Sequence, residues 1–359
     1  MHLISPRWSN RWNQNPAQWA SMRAAFINVI YPHGLPTDGV DVVQQNFNYA
    51  GVGIALPANC THMTRYTVAS PGQRPGGDPQ YTYLLYPTTP NNKLVVWMAG
   101  HVGWVDYAGP AEGNTIQALL GAGYYVLLCQ QMAFDYPTNP VGTNIVVGGS
   151  WTYSAGAWSN TGGTLTHFAE HEAWPLANDG GPDGILQFIH HIIVSANQAV
   201  TEVNPTRCIL AGHSGGGICG NIVAAIDSRY ASWYCNIPGL PLIQTIVTNP
   251  TGYLGSPVDW ESYLPTITYS NPPYSQDYWG TLRIAASWPG RHTDLVSDIN
   301  DEYWFPLNIP LWYELSEAIV DYMRSAGSTF TYYLDPIVFP GHVMNTARIN
   351  RMLALMAND

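Results

Sequence analysis

The stretch RCILAGHSGGG at residues 207–217 constrains the fold more than any other feature of this 359-residue chain. Its apolar run CILA is typical of a buried strand, and it is followed at once by glycines around a single serine, Ser214. Gly212 and Gly216 complete a G-x-S-x-G pattern, in which a strand turns sharply into a helix and exposes the serine hydroxyl above the sheet. Glycines are expected on both sides because side chains do not fit in so tight a turn. The sequence therefore predicts a nucleophilic serine at the carboxyl end of a strand.

Apolar runs alternate with helical patterns along most of the chain. We predict an antiparallel pair of strands over 60–70 and 80–88, then strands over 94–100, 124–130, 208–212, 242–249, 282–288 and 329–335. Helical spacing covers 16–30, 111–121, 184–200, the stretch after Gly217, 311–326 and 343–357. Strands that alternate with helices imply right-handed crossovers and a mostly parallel sheet. The expected fold class is α/β, with a mostly parallel central sheet and helices on both faces.

One segment interrupts this alternation. Residues 136–182 are rich in Gly, Asn, Thr and Trp, and a loop of that length inside a compact domain is usually functional. The segment follows the strand at 124–130, near the edge where α/β sheets build their sites. We therefore predict one large domain over 60–359 with a cap-like insertion at 136–182 that covers the cleft, and an N-terminal extension over 1–59 packed on it. A surface insertion without a role is the alternative.

Charge and cysteine content restrict the partners and the compartment. The chain has 13 Lys and Arg against 24 Asp and Glu, a formal net charge of −11, so no basic stripe is available for nucleic acid. No apolar run approaches the roughly 20 residues that span a bilayer, and the first 30 residues lack a signal-peptide pattern. Five scattered cysteines do not form a disulfide scaffold, although a bridge involving Cys60 or Cys235 stays open. The default expectation is a cytoplasmic protein, with a secreted mature form as the alternative and the oligomeric state left open.

The serine motif, the strand order and the placement of the partner residues resemble the α/β-hydrolase superfamily over residues 60–357. The resemblance implies a catalytic triad in the chain order nucleophile, acid, histidine. His342 lies between the last predicted strand and the last predicted helix, where this family keeps its histidine, so it is the expected base for Ser214. His292 is the other histidine downstream of Ser214 and is the second choice.

For the acid and the oxyanion hole, the resemblance leaves more than one candidate residue. Asp294, at the end of the stretch GRHTD after the strand predicted at 282–288, is the expected acid, while Asp259, Asp298 and Asp335 are alternatives. The oxyanion hole is expected to use the backbone amide of Gly215 and one from the loop after the strand at 94–100. That loop reads AGHVG instead of the family's usual His-Gly order, so His101 and Val102 are both candidates.

Other chemistry-bearing clusters do not lead to a cofactor. His167 and His171 have i, i+4 spacing, but the pattern is not H-E-x-x-H and no third ligand is evident. The turn NDGGPDG at 178–184 lacks the full spacing of a calcium loop, and no G-x-G-x-x-G follows the first strand. We therefore expect no metal and no cofactor.

Together these features predict a serine hydrolase that cleaves a carboxylic ester through an acyl-enzyme. The substrate is a small-molecule or polymer-borne ester, and the 14 Trp and 23 Tyr favour sugar or aromatic-acid esters. A serine peptidase or amidase uses the same triad and stays open. A non-catalytic binding protein on a hydrolase fold is the alternative from another class, because fold does not fix function.

Overall fold

The computed structural model describes residues 16–47, 56–68, 80–100, 113–129, 151–154, 157–160, 182–236, 284–298, 329–335 and 343–359. Within these ranges, no helix is both long enough and apolar enough to cross a membrane.

Nine strands form one sheet in the order β1-β2-β3-β5-β4-β8-β9-β10-β11. Their bounds are β1 Val42–Gln44, β2 Cys60–Val68, β3 Gln80–Pro87, β4 Lys93–Met98, β5 Tyr125–Cys129, β8 Arg207–His213, β9 Tyr230–Asn236, β10 His292–Asp298 and β11 Thr329–Asp335. The strands β1, β2, β3 and β5 are antiparallel neighbours, and all pairs from β5 to β11 in the sheet order are parallel. The predicted antiparallel pair and the mostly parallel sheet are both confirmed.

Five described helices cover the two faces of this sheet. They are α1 Pro16–Ile30, α2 Gly113–Gly121, α3 Pro182–Val203, α4 Gly215–Ile226 and α5 Thr346–Met356. One apolar cluster joins the sheet to α1, α3 and α4, and a second cluster joins it to α2 and α5. In β4, Leu94 and Val96 belong to the first cluster and Val95 and Trp97 to the second. Helices therefore lie on both faces, as the sequence predicts, and β4 is apolar from Leu94 to Met98, as is typical of a strand with both faces buried.

Helix α1 is part of the first apolar cluster. Trp19, Phe26 and Ile30 are almost fully buried at positions that share one helical face. Arg23 lies on the same face, and its guanidinium donates to the carbonyl oxygen of Ser287 at 2.7 Å. The N-terminal segment therefore contacts the helices and a loop that come much later in the chain.

The strand predicted at 282–288 is wrong. Residues 284–286 form a helical turn, and the strand lies ten residues further along, as β10. Ile284, Ala285 and Ala286 are fully buried, and an apolar run this short does not distinguish a strand from a buried helical turn. The strand β9 was not predicted at all. The strand predicted at 242–249 and the helix predicted at 311–326 lie outside the described residues.

The predicted insertion at 136–182 is described only in part. The strands β6 Trp151–Ser154 and β7 Ala157–Asn160 pair antiparallel as a separate two-stranded sheet. The segment thus contains a β-hairpin, whereas the sequence led us to expect a loop.

Candidate active site

Ser214 stands between β8 and α4 in the strand–serine–helix arrangement that the sequence predicts. Its backbone dihedrals are φ 55° and ψ −128°, a region that residues other than glycine rarely occupy. Such a conformation costs about 1–3 kcal/mol and persists only where the surroundings impose it. The side chain is almost fully buried, with the residue 7% exposed. This strained backbone is the geometry of a nucleophile elbow.

Two glycines allow the elbow to pack. A Cβ added at Gly212 would lie 2.5 Å from the carbonyl oxygen of Gly216, and one added at Gly216 would lie 2.5 Å from that of Ala99. A Cβ on Gly216 would also collide with the carbonyl oxygen of Met98. The two ends of the G-x-S-x-G motif therefore contact each other and the end of β4 through backbone atoms, which explains why both positions are glycine.

The end of β4 lies directly beside the serine. A Cβ added at Gly100 would be 2.9 Å from the Cβ of Ser214 and 3.3 Å from the carbonyl oxygen of His213. Of the expected oxyanion donors, Gly215 is the first residue of α4, whose leading amides have no acceptor within the helix. His101 and Val102 lie outside the described residues, immediately after Gly100.

Asp294, the expected acid, lies inside β10 and is 1% exposed. Both of its carboxylate oxygens accept from the Arg351 guanidinium of α5, with Nη2 2.7 Å from Oδ1. The Thr331 hydroxyl also donates to Oδ1. In the sheet, Asp294 is level with Tyr234 of β9, which is level with Ala211 of β8, three residues before Ser214. The structure therefore pairs Asp294 with Arg351 below the carboxyl edge of the sheet.

Two other candidate aspartates are the last residues of strands at that edge. Asp298 is the last residue of β10 and is paired in register with Asp335, the last residue of β11. The level of Ser214 is set by His213, which is in register with Asn236 and, through it, with Val296. Asp298 therefore lies two residues beyond the level of His213 and one beyond that of Ser214, at the carboxyl end of its strand. Asp259 lies outside the described residues.

His342 also lies outside the described residues. Hydrogen bonds hold the residues that follow it. The side chain of Arg348 donates to the carbonyl oxygen of Val343 at 2.5 Å, and Asn345 caps α5 by accepting from the Arg348 amide at 3.0 Å. The chain adjoining His342 is thus anchored to α5, which packs on the sheet near β9.

His292, the second choice for the base, begins β10 at the opposite end from Asp298. Its Nδ1 lies 3.4 Å from the Tyr234 hydroxyl and 3.7 Å from a carboxylate oxygen of Asp359. Burial alone would raise the pKa of Asp359, but hydrogen bonds from His292, Ser232 and Tyr234 outweigh it and hold that pKa below its usual value. The structure thus places His292 in a polar cluster at the amino end of the parallel strands.

Asn236 lies beside the serine and was not predicted from the sequence. The Ser214 amide donates to the carbonyl oxygen of Asn236 at 3.1 Å, and the Asn236 side chain donates to the carbonyl oxygen of Gly212 at 3.3 Å. A polar residue at the end of the strand beside β8 could have indicated this site from the sequence. Such a prediction requires β9 to be recognised as a strand first. The pair His167 and His171 lies outside the described residues.

No protein-family model matches the chain, and no curated protein matches it in sequence. Solved structures do match. The methylesterase BT1017 is 10% identical with a TM-score of 0.55, covering 99% of this chain and 65% of that one. The uncomplexed acylaminoacyl peptidase of Pyrococcus horikoshii is 11% identical with a TM-score of 0.50, covering 87% of this chain and 43% of that one.

This chain therefore spans less than two thirds of the length of either structure. At such low identity the likeness concerns the fold alone. The strand–serine–helix elbow, the parallel order of β5 to β11 and these structural matches agree: the chain has the α/β-hydrolase fold.

Proposed function

We propose that the protein is a serine hydrolase that cleaves a carboxylic ester, with Ser214 as the nucleophile. The observation that carries this proposal is the backbone of Ser214, at φ 55° and ψ −128° between β8 and α4. A fold keeps a strained residue only where the surrounding structure compensates for it, and such residues cluster at active sites.

In the proposed reaction, the Ser214 hydroxyl oxygen attacks the ester carbonyl carbon while His342 takes the hydroxyl proton. The negative charge that develops on the carbonyl oxygen is stabilised by the amide of Gly215 and by an amide from His101 or Val102. His342 then gives its proton to the departing alcohol, which leaves an acyl-enzyme. Water, activated by the same histidine, hydrolyses that intermediate and restores Ser214.

For the acid we propose Asp298, with Asp294 as the alternative to be tested. Asp298 ends β10 beyond the level of Ser214, on the edge where α/β sheets build their sites. Asp294 is on the same strand, but Arg351 donates to both of its oxygens, so its carboxylate already has a partner. An acid that orients His342 needs an oxygen available for the imidazole.

We propose an ester, in preference to an amide, as the substrate class. The similar structure that covers 99% of this chain is a methylesterase, and the peptidase covers 87%. The acyl-enzyme chemistry is common to both classes, so the leaving group decides between them. An amide substrate is therefore the second candidate.

The test is hydrolysis of nitrophenyl esters of increasing acyl length by the wild type, Ser214→Ala and a matched control, Ser195→Ala. Ser195 is also buried, at 0% exposure, but it lies on α3 and accepts from Thr82 at 2.7 Å. We expect Ser214→Ala to lose at least about a thousandfold in kcat and Ser195→Ala to keep its kcat. Equal activity in the wild type and Ser214→Ala would contradict the nucleophile.

A fluorophosphonate probe and amide substrates distinguish a hydrolase with a narrower substrate, an amidase and a non-catalytic binding protein. Labelling of the wild type at Ser214 without nitrophenyl ester hydrolysis would show a reactive serine with a narrower substrate. Anilide analogues of the best ester then test amide cleavage. Failure of the folded wild type to react with either the probe or the esters would favour a non-catalytic binding protein.

A further inference from the structure

Asn236 contacts the elbow on both sides of His213, the residue just before the strained Ser214. It ends β9 opposite His213 and is 1% exposed. Its main-chain oxygen accepts from the Ser214 amide at 3.1 Å, and its side-chain Nδ2 donates to the carbonyl oxygen of Gly212 at 3.3 Å. One residue thus holds the backbone immediately before His213 and immediately after it.

These two contacts fix the direction in which the chain leaves β8. Regular strand pairing between β8 and β9 ends at His213, so the Ser214 amide needs an acceptor at the point where the chain turns. Asn236 provides that acceptor with its own carbonyl. Its amide group at the same time binds Gly212, the glycine that packs against Gly216 inside the turn.

The side chain of Asn236 is itself held in place. Nδ2 is also 3.3 Å from the carbonyl oxygen of Tyr234, two residues earlier on β9, and 3.7 Å from the sulfur of Met352 on α5. Met352 is buried at 1% exposure in the cluster between α5 and the sheet. Asn236 therefore connects the elbow to the helix that follows the segment containing His342.

We propose that Asn236 is a positioning residue for the nucleophile: its amide group and its carbonyl keep Ser214 in the strained conformation before substrate arrives. This inference rests on the proposed role of Ser214. A small displacement of a reacting group can reduce the rate by about a hundredfold. Loss of the side-chain donor should therefore slow attack by Ser214 more than it weakens substrate binding.

The kinetic test compares Asn236→Ala and Asn236→Asp with the wild type. Aspartate has the same shape but replaces the amide donor with oxygen atoms, which repel the carbonyls of Gly212 and Tyr234. We expect both variants to lose between about 10- and 100-fold in kcat and in the rate constant of fluorophosphonate labelling, with KM within about twofold.

Asn221→Ala is the matched control. Asn221 is also 1% exposed, and it accepts from the Trp233 indole at 2.7 Å, but it lies in the middle of α4. Its loss should lower the melting temperature without changing the labelling rate of the folded protein. Labelling rates of both Asn236 variants within twofold of the wild type would overturn the proposal, as would an equal loss in Asn221→Ala.

A structural measurement tests the geometry without any substrate. In crystal structures of the Asn236 variants, we expect Ser214 to leave φ 55° and ψ −128°. Unchanged dihedrals would refute the positioning role even if the protein hydrolysed no ester. An unreactive wild type, by contrast, would refute the proposed function, so the two failures are distinguishable.

Discussion

At the scale of single residues, the elbow depends on backbone contacts that leave no space for a methyl group. We expect Gly216→Ala to destabilise the protein by about 3 kcal/mol, because its Cβ would collide with the carbonyl oxygens of Met98 and Ala99. Urea unfolding measures the loss. In the control Gly34→Ala, nothing lies within 4 Å of the added Cβ, so only the positive φ of 86° should cost about 1 kcal/mol. Equal losses in the two variants would contradict the packing argument.

Substitution of the two aspartates of β10 should have opposite effects on kcat and on stability. We expect Asp298→Asn to reduce kcat by about 10³–10⁴-fold with little change in stability, because an amide no longer orients the histidine correctly. Asp294→Asn should lower the free energy of unfolding by about 2 kcal/mol and leave kcat within about fivefold, because it weakens a buried pair with Arg351.

Arg351→Met completes this experiment, because it removes the partner of Asp294 without touching either carboxylate. It should resemble Asp294→Asn in stability and in kcat. If Asp294→Asn alone abolishes turnover while Asp298→Asn retains it, the acid is Asp294.

At the scale of elements, Arg291 secures the end of α4, the helix that follows Ser214. Its buried guanidinium donates to the carbonyl oxygens of Ala224 and Asp227 at the end of α4, and to those of Tyr230 and Ala285. Burial lowers the pKa of Arg291 to about 9, against a smaller opposite effect of Asp227.

We expect Arg291→Gln to lower the free energy of unfolding by about 3 kcal/mol, because it leaves several buried carbonyls without a donor. Arg291→Lys should recover only part of this loss, since an ammonium group lacks the planar fork that reaches four acceptors. Denaturant unfolding measures both. The exposed Arg207 provides the control, and Arg207→Gln should change stability by less than about 0.5 kcal/mol. Stability equal to the wild type in both Arg291 variants would contradict the capping role.

The elements near the site differ in how well the sequence predicts them. The segment from β8 to α4 could be predicted because an apolar run, a serine between glycines and a second apolar run together allow few structures. The strand β10 could not, because HTDLVSD is polar and its burial depends on partners such as Arg351 and Thr331 from distant segments. That displacement by ten residues decides which aspartate reaches the carboxyl edge.

At the scale of the whole molecule, all five cysteines are buried thiols outside any disulfide, including Cys60 and Cys235, for which the sequence left a bridge open. Burial raises the pKa of Cys60 and of Cys208 to about 11 each, so both are protonated at neutral pH. We expect Ellman's reagent to titrate almost no thiol in the native protein and all five after denaturation without reductant. Fewer than five thiols after denaturation would reveal a disulfide.

The polar cluster around Asp359 predicts a pH dependence of stability. Because the folded pKa of Asp359 lies below its ordinary value of 3.8, its interactions stabilise the protein above pH 3.8. This contribution should disappear as the pH falls through the lowered folded pKa. We expect the difference in unfolding free energy between the wild type and Asp359→Asn to be constant near neutrality and to shrink below pH 3.8. A difference that grows in acid would contradict this assignment.

Helix α1 has a consequence for how the protein is made. Its Arg23 binds Ser287, which lies 264 residues later in the chain, and its apolar face packs with α3 and α4. At a synthesis rate of about 5–20 residues per second, the ribosome needs roughly 13–53 s to add those residues. During that interval the apolar side of α1 has been made but the surface on which it packs is incomplete. The nascent chain therefore presents a hydrophobic helix that chaperones can bind, and the contact that holds Arg23 forms only after Ser287 has been added.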